Sequence, residues 1–266
     1  MSNNLMNSIW YGERPLYSIP GVKEKILKAD NEKDILFHLI DLFKLGDFTQ
    51  KPLLFQLVNR TKDKSVLNLC IRIFCSVCTH DDLLDPTNLR FLEGANDDVI
   101  RTFGSAAVTS LSAEIVPYLL VLLEEWDEID EISIILRDAI DIYTNFEEEL
   151  GEDASLEDIG RYYLEYRDEC DTRMYYYHRN LVFPGDLAKE LIERDFIATD
   201  TNQALELELI PSLLSIWSGE KAPGDYYTIL NENNYKSFIT YVENLSKKEW
   251  KSGMKYFYGY ECELNY

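Results

Sequence analysis

An apolar pattern returns along this chain every 33 residues, and few folds can absorb such a pattern. It runs through Val66, Cys70, Ile73 and Phe74, then Val99, Phe103, Ala106 and Ala107, then Ile132, Leu136, Ala139 and Ile140. Ile35, Leu39, Leu42 and Phe43 show the same spacing 31 residues ahead of the first set. Positions i, i+4, i+7 and i+8 share one face of an α-helix. Each helix has a polar approach, "TKDKS", "GANDD" and "DEIDE", whose Asp and Asn side chains suit the free N–H groups of a helix start. Between them lie three segments read as partner helices, "KPLLFQLVNR", "DPTNLRFLEG" and "AEIVPYLLVLLEEW". Helix pairs that recur at a fixed period bury their stripes on one another and make an α-solenoid. The reading is an all-α protein with a right-handed array over residues 30–145. The second helices of the pairs fall near 65–78, 97–110 and 130–145, with Phe103 and Leu136 buried mid-stripe.

Past Glu147 the period is lost. "EEELGEDASLED" reads as an acidic loop ending in a helix start at Ser155. "LEDIGRYYLEYRDEC", "FPGDLAKELIERDF", "NQALELELIPSLLSIWSG" and "YKSFITYVENL" read as helices, and "MKYFYGYECELNY" as a strand pair or an extended tail. The last forty residues are dense in aromatics, among them Tyr226, Tyr227, Tyr235, Trp250, Tyr256 and Tyr260. The chain therefore divides into helical repeats over 1–150, acidic from 81, and an aromatic-rich helical region over 151–266 packed on them.

Charge is concentrated. The net charge is −22. Residues 81–171 hold 26 acidic and 5 basic side chains, against 8 and 11 in residues 1–80 and 14 and 10 in residues 172–266. Leu122–Tyr143 alone carries eight carboxylates and one basic group, Arg137. Its apolar residues build the array, and its acids are left on display. Glu124, Glu125, Asp127, Glu128, Asp130 and Glu131 fall at the turn between two helices, and Asp138 and Asp141 on the face away from the stripe. Glu147, Glu148, Glu149, Glu152 and Asp153 follow as a rim. Crowded like charge destabilises a compact chain while aiding its solubility. Phosphate affinity comes from Lys and Arg, so direct nucleic-acid binding is excluded for this region. Its natural counterpart is a basic protein or a cation; the plain alternative is a solvated acidic face with no partner.

No catalytic constellation is legible. "CSVCTH" brings Cys75, Cys78 and His80 together, but a structural zinc site takes four ligands and no second Cys pair exists. Flanked by Cys70, Ile73, Phe74 and Val77, these cysteines read as core residues. His38 reads as a helix residue at the core edge. "DEIDE" lacks the glycine and the spacing of a calcium loop. No P-loop, Gly-x-Ser-x-Gly or His-Glu-x-x-His is present. "RMYYYHRN", which includes His178, reads as packing or interface rather than a base-stacking platform. No cofactor and no metal are expected, and the chain reads as a binding protein. Five cysteines and the lack of a secretory leader point to a reducing cytoplasm, and no apolar run reaches the roughly 20 residues of a membrane span.

The stretch "AEIVPYLLVLLEEWDEIDEISIILRDAI" resembles a HEAT repeat: a first helix with Pro117, an acidic turn and a second helix. "NDDVIRTFGSAAVTSL" resembles a HEAT second helix, with Asp98 ahead of Val99, Arg101 after it, and Ala106 and Ala107 where helices pack closely. The likeness covers about residues 30–145 and departs from the pattern at Ile134, where no basic residue matches Arg101. In general character the chain is similar to the HEAT-like, all-α immunity proteins of bacterial polymorphic-toxin and contact-dependent inhibition systems. That resemblance implies a cytoplasmic protein that binds one cognate toxin. Many such toxins are nucleases with a basic cleft, which the acids listed above would occlude. The alternatives are a HEAT-like adaptor for another basic protein and an enzyme with an acid site in the C-terminal part.

Overall fold

The computed structural model describes residues 13–201, 205–207, 209–225 and 228–263. The sequence expectations at 202–204, 208, Tyr226, Tyr227 and 264–266 lie outside these. Helices dominate: α1 (Ile19–Lys28), α2 (Glu32–Lys44), α3 (Lys51–Val58), α4 (Lys64–Val77), α5 (His80–Leu84), α6 (Asp97–Ala107), α7 (Val116–Trp126) and α8 (Asp130–Thr144) come first. Then come α9 (Phe146–Leu150), α10 (Leu156–Glu169), α11 (Pro184–Thr201), α12 (Ile210–Ser218) and α13 (Tyr235–Leu245). The strands are two residues each and pair antiparallel: β1 (Tyr176–Tyr177) with β2 (Asn180–Leu181), β3 (Leu205–Glu206) with β4 (Ile229–Leu230), and β5 (Tyr256–Phe257) with β6 (Tyr260–Glu261). The protein is all-α with minor β elements.

The recurring stripe becomes a row of stacked helices. α2 packs on α4, α4 on α6 and α6 on α8, while α1, α3 and α7 pair with α2, α4 and α8. Phe103 and Leu136 are fully buried, as are Ile132 and Ile140. Gly104 lets α6 and α8 approach closely, because a Cβ there would lie 2.8 Å from a methyl of Ile135. Side-chain bonds carry the same period. Asn68 donates to Thr102 across 2.7 Å, Ser76 meets Thr109 at 3.0 Å, and Ser110 meets Tyr143 at 2.8 Å, each pair 33 or 34 residues apart. Asn31, Asp63, Asn96 and Ser155 cap α2, α4, α6 and α10 through their side chains.

Three segments differ from the sequence reading. "DPTNLRFLEG" forms a 3₁₀ helix over Pro86–Leu92, broken at Leu89, instead of an α-helix. α7 starts only at Val116, after a 3₁₀ turn, because Pro117 lacks the N–H an interior position needs and is tolerated in a first turn. Pro211 acts the same way on "NQALELELIPSLLSIWSG", where a strand over Leu205–Glu206 precedes a short α12. In addition, α8 has no side-chain cap, since its preceding residue is Ile129.

Beyond the stacked row, one arrangement occurs twice. Residues 116–182 run α7, α8, α10 and the β1–β2 hairpin, with the short α9 inserted. Residues 184–262 run α11, α12, α13 and the β5–β6 hairpin, with β3 and β4 inserted. α8 and α12 both end in a left-handed residue, Asn145 (φ 52°) and Gly219 (φ 70°). Both hairpins turn through two consecutive residues of positive φ, His178 and Arg179 in one, Tyr258 and Gly259 in the other, the geometry of tight two-residue loops. Each hairpin docks on the end of its own second helix: His178 N–H donates to Ile142 O and Tyr258 N–H to Ile216 O, both at 2.8 Å. Each also has a tyrosine hydroxyl that accepts from the backbone N–H five residues earlier, Tyr176 from Asp171 (3.0 Å) and Tyr256 from Lys251 (2.9 Å). The hairpins lie against each other through Tyr175 N–H to Gly253 O (3.0 Å) and Gly253 N–H to Val182 O (2.7 Å).

Candidate functional site

The acids form two groups. Glu124 and Glu125 close α7, Asp127 and Glu128 occupy the turn, and Asp130 and Glu131 open α8, all six exposed. The last two suit the positive end of the helix dipole. Glu131 pairs with Arg101 of the neighbouring helix at 2.7 Å, and Asp127 accepts from Ser133 Oγ at 3.5 Å. Ile129 and Ile134 stand exposed among them.

The second group gathers where α8 ends. Asp138 is exposed, whereas Asp141 is half-buried and caps α9, accepting from Glu147 N–H at 2.9 Å. Asp141 is thus partly turned inward and structural, which face periodicity alone does not show. Glu148, Glu149, Glu152 and Asp153 are exposed. Arg137 neutralises little of this. Its guanidinium donates to the backbone carbonyls of Glu152 (2.6 Å) and Ala154 (2.9 Å) and lies 5.3 Å from the Phe146 ring centroid, so it fastens the loop. The crowding shows in the carboxyls. Partial burial and then the charge of Asp141 hold Asp138 above the usual carboxylate range. Glu147 is raised by partial burial, then by Asp141, Asp138 and Glu152, with Arg137 acting the other way.

Cys75 and Cys78 are fully buried, as core residues. Among the described residues no group of three or more His, Cys, Asp or Glu side chains is placed to hold a metal. The sequence reading missed what surrounds these cysteines. Lys255, 1% exposed, donates to the carbonyls of Cys75 and Cys78, both at 2.8 Å, where α4 ends. His80 stacks on Tyr175 at 4.1 Å between ring centroids, and its Nδ1 meets Ser112 Oγ at 2.7 Å. Burial, and then the charge of Lys255, lower His80 to about 4. One signal was available: "MYYYHRNLV" and "MKYFYGYEC" begin 80 residues apart and align without a gap.

Fold and surface together define the class: an all-α protein with charge on display, and no helix long and apolar enough to cross a membrane among the described residues. The chain matches the immunity protein 47 family over residues 5–262, nearly its whole length. It belongs to that family of immunity proteins. No curated protein and no solved structure matches it.

Proposed function

We propose that this chain binds and neutralises a cognate toxin by laying the acidic surface of residues 124–153 over a basic site. A nuclease cleft is the site such a surface fits best. Membership in an immunity protein family implies a toxin partner. The observation that carries the choice of surface is an internal control. Residues 116–182 hold 19 acidic and 5 basic side chains, while residues 184–262 build the same order of elements with 13 and 8. The net charges are −14 and −5, so the arrangement itself does not demand the excess. Crowded acids that the fold does not need weaken it, and a cationic partner offsets that repulsion.

Exposed charges set association rate and specificity more than affinity. The test is the association rate with the toxin against ionic strength, for the wild type and for a variant with Asp127→Asn, Glu128→Gln, Asp130→Asn and Glu131→Gln. The variant should associate more slowly with a flatter salt dependence. A second variant, neutralised at Glu190, Glu193, Glu232 and Glu243 in the less acidic unit, should match the wild type. Equal rates and salt slopes for all three proteins would remove this surface from the interface.

A further inference from the structure

A cleft of about 1010 Å³ lies between the α2–α3 turn and the C-terminal hairpin. It is as large as the sites that take small ligands or short peptide segments. One wall holds Gly46, Asp47 and Phe48, and the other holds Trp250, Tyr256 and Tyr260. Asp47, Glu249, Glu261 and Glu263 line it against a single basic side chain, Lys251. That lysine is occupied by Glu261 at 2.6 Å, and Asp47 is held by Lys23 at 2.7 Å. Glu249 and Glu263 have no ion pair among the described residues. The cleft therefore combines aromatic faces with surplus carboxylate, the pairing that attracts a cationic side chain.

The molecule already binds one such group with these residues. The Arg14 guanidinium sits 4.9 Å from the Tyr260 ring centroid and donates to Tyr260 Oη (3.3 Å) and to the Tyr258 carbonyl. Tyr260 is fixed for this by Gly46, where a Cβ would fall 2.6 Å from the ring. Trp250 is fixed by a bond from its indole N–H to Leu245 O (3.1 Å) and by edge contact with Tyr256 at 4.9 Å. Rigid Tyr and Trp faces of this kind are favoured at protein interfaces. We propose that this cleft receives an arginine or lysine side chain presented by a protein partner, at a surface separate from the acidic turn of α7 and α8. The occupant is a cationic loop: the aromatic faces take its stem, and Glu249 and Glu263 take its charge.

The test is nuclear magnetic resonance on the full chain, with the Trp250 indole signal assigned through Trp250→Phe. The probe is an acetylated, amidated Gly-Arg-Gly-Arg-Gly peptide, compared with its Gln-substituted counterpart. The arginine peptide should shift the Trp250 indole saturably, and the glutamine peptide should not. The double variant Glu249→Gln/Glu263→Gln, changed at surface carboxylates, should bind about 3- to 10-fold more weakly, as expected for losing two exposed ion pairs. Its unchanged melting temperature would show that folding is intact. No shift at Trp250, an equal shift with the glutamine peptide, or unaltered binding by the double variant would each overturn the proposal. The backbone signals of Asp127–Glu131 report the other surface in the same titration, so movement there without movement at Trp250 sinks this cleft alone.

Discussion

The unit at 116–182 and the unit at 184–262 use one order of elements for different ends. In the second, the helix that the hairpin docks on is covered: Ile210, Leu213, Leu214, Ile216 and Trp217 of α12 are all buried. In the first, α8 buries Ile132, Leu136, Ala139 and Ile140 but leaves Glu131, Ile134 and Asp138 in solvent. The same division holds at the helix ends. Gly219 admits the Tyr258 ring against its backbone, whereas Asn145 offers a side-chain oxygen to His178 Nδ1 at 2.8 Å. The second unit closes the molecule, and the first displays charge. An acidic surface of this size is therefore a property of one copy and not of the architecture.

The largest test of that equivalence is in the core. Leu136 and Ile210 hold corresponding places, nine residues before Asn145 and Gly219. Leu136→Ala and Ile210→Ala should each lose about 2–5 kcal/mol in a denaturant titration. A loss below about 1 kcal/mol at either site would break the alignment of the two helices. The helix ends come next. Gly219→Ala adds a Cβ at positive φ, 2.7 Å from the Tyr258 ring, and should lose about 1–3 kcal/mol. Asn145→Gly should change stability by less than about 1 kcal/mol, because relief of the left-handed residue offsets the lost bond to His178.

The hairpins supply a third contrast. Lys255 and Tyr175 are corresponding residues, but only Lys255 satisfies buried carbonyls. The buried Tyr175 hydroxyl has no hydrogen-bond partner. Lys255→Met should lose about 1–3 kcal/mol by stranding those carbonyls, and Tyr175→Phe less than about 0.5 kcal/mol. The smallest effect concerns His80, which lies against Tyr175 and near Lys255. Its folded value of about 4 is below its ordinary 6.5, so the unfolded chain binds the proton more tightly. Stability from keeping His80 neutral is complete above about pH 6.5 and is lost as pH falls toward 4. The melting temperature of His80→Gln should therefore fall less steeply than that of the wild type across this window; parallel curves would deny the histidine that role.

The stacked row was legible in the sequence because an apolar stripe is both the signal and the cause of stacking: Val66, Val99 and Ile132 recur for the reason that α4, α6 and α8 touch. The acids were legible as a concentration of charge, though Asp141 was assigned by face periodicity and is partly spent on capping α9. The paired units were not legible by that route. Their strands are two residues long, and backbone bonds to distant helix ends hold them, so no local apolar alternation marks them. Pro117 and Pro211 shortened two helices by removing donors, a point effect that a stripe does not register.

The bond from Lys255 to the end of α4 joins residues 177 and 180 positions apart. At a synthesis rate of about 5–20 residues per second, roughly 10–35 s separate the two partners on the ribosome. Throughout that interval the first helices exist with two carbonyls open at the place where the last hairpin belongs. Protection against a toxin in the same cell then begins when the final residues emerge, and a chain cut short before Lys255 is an incomplete guard, however well its acidic segment is made.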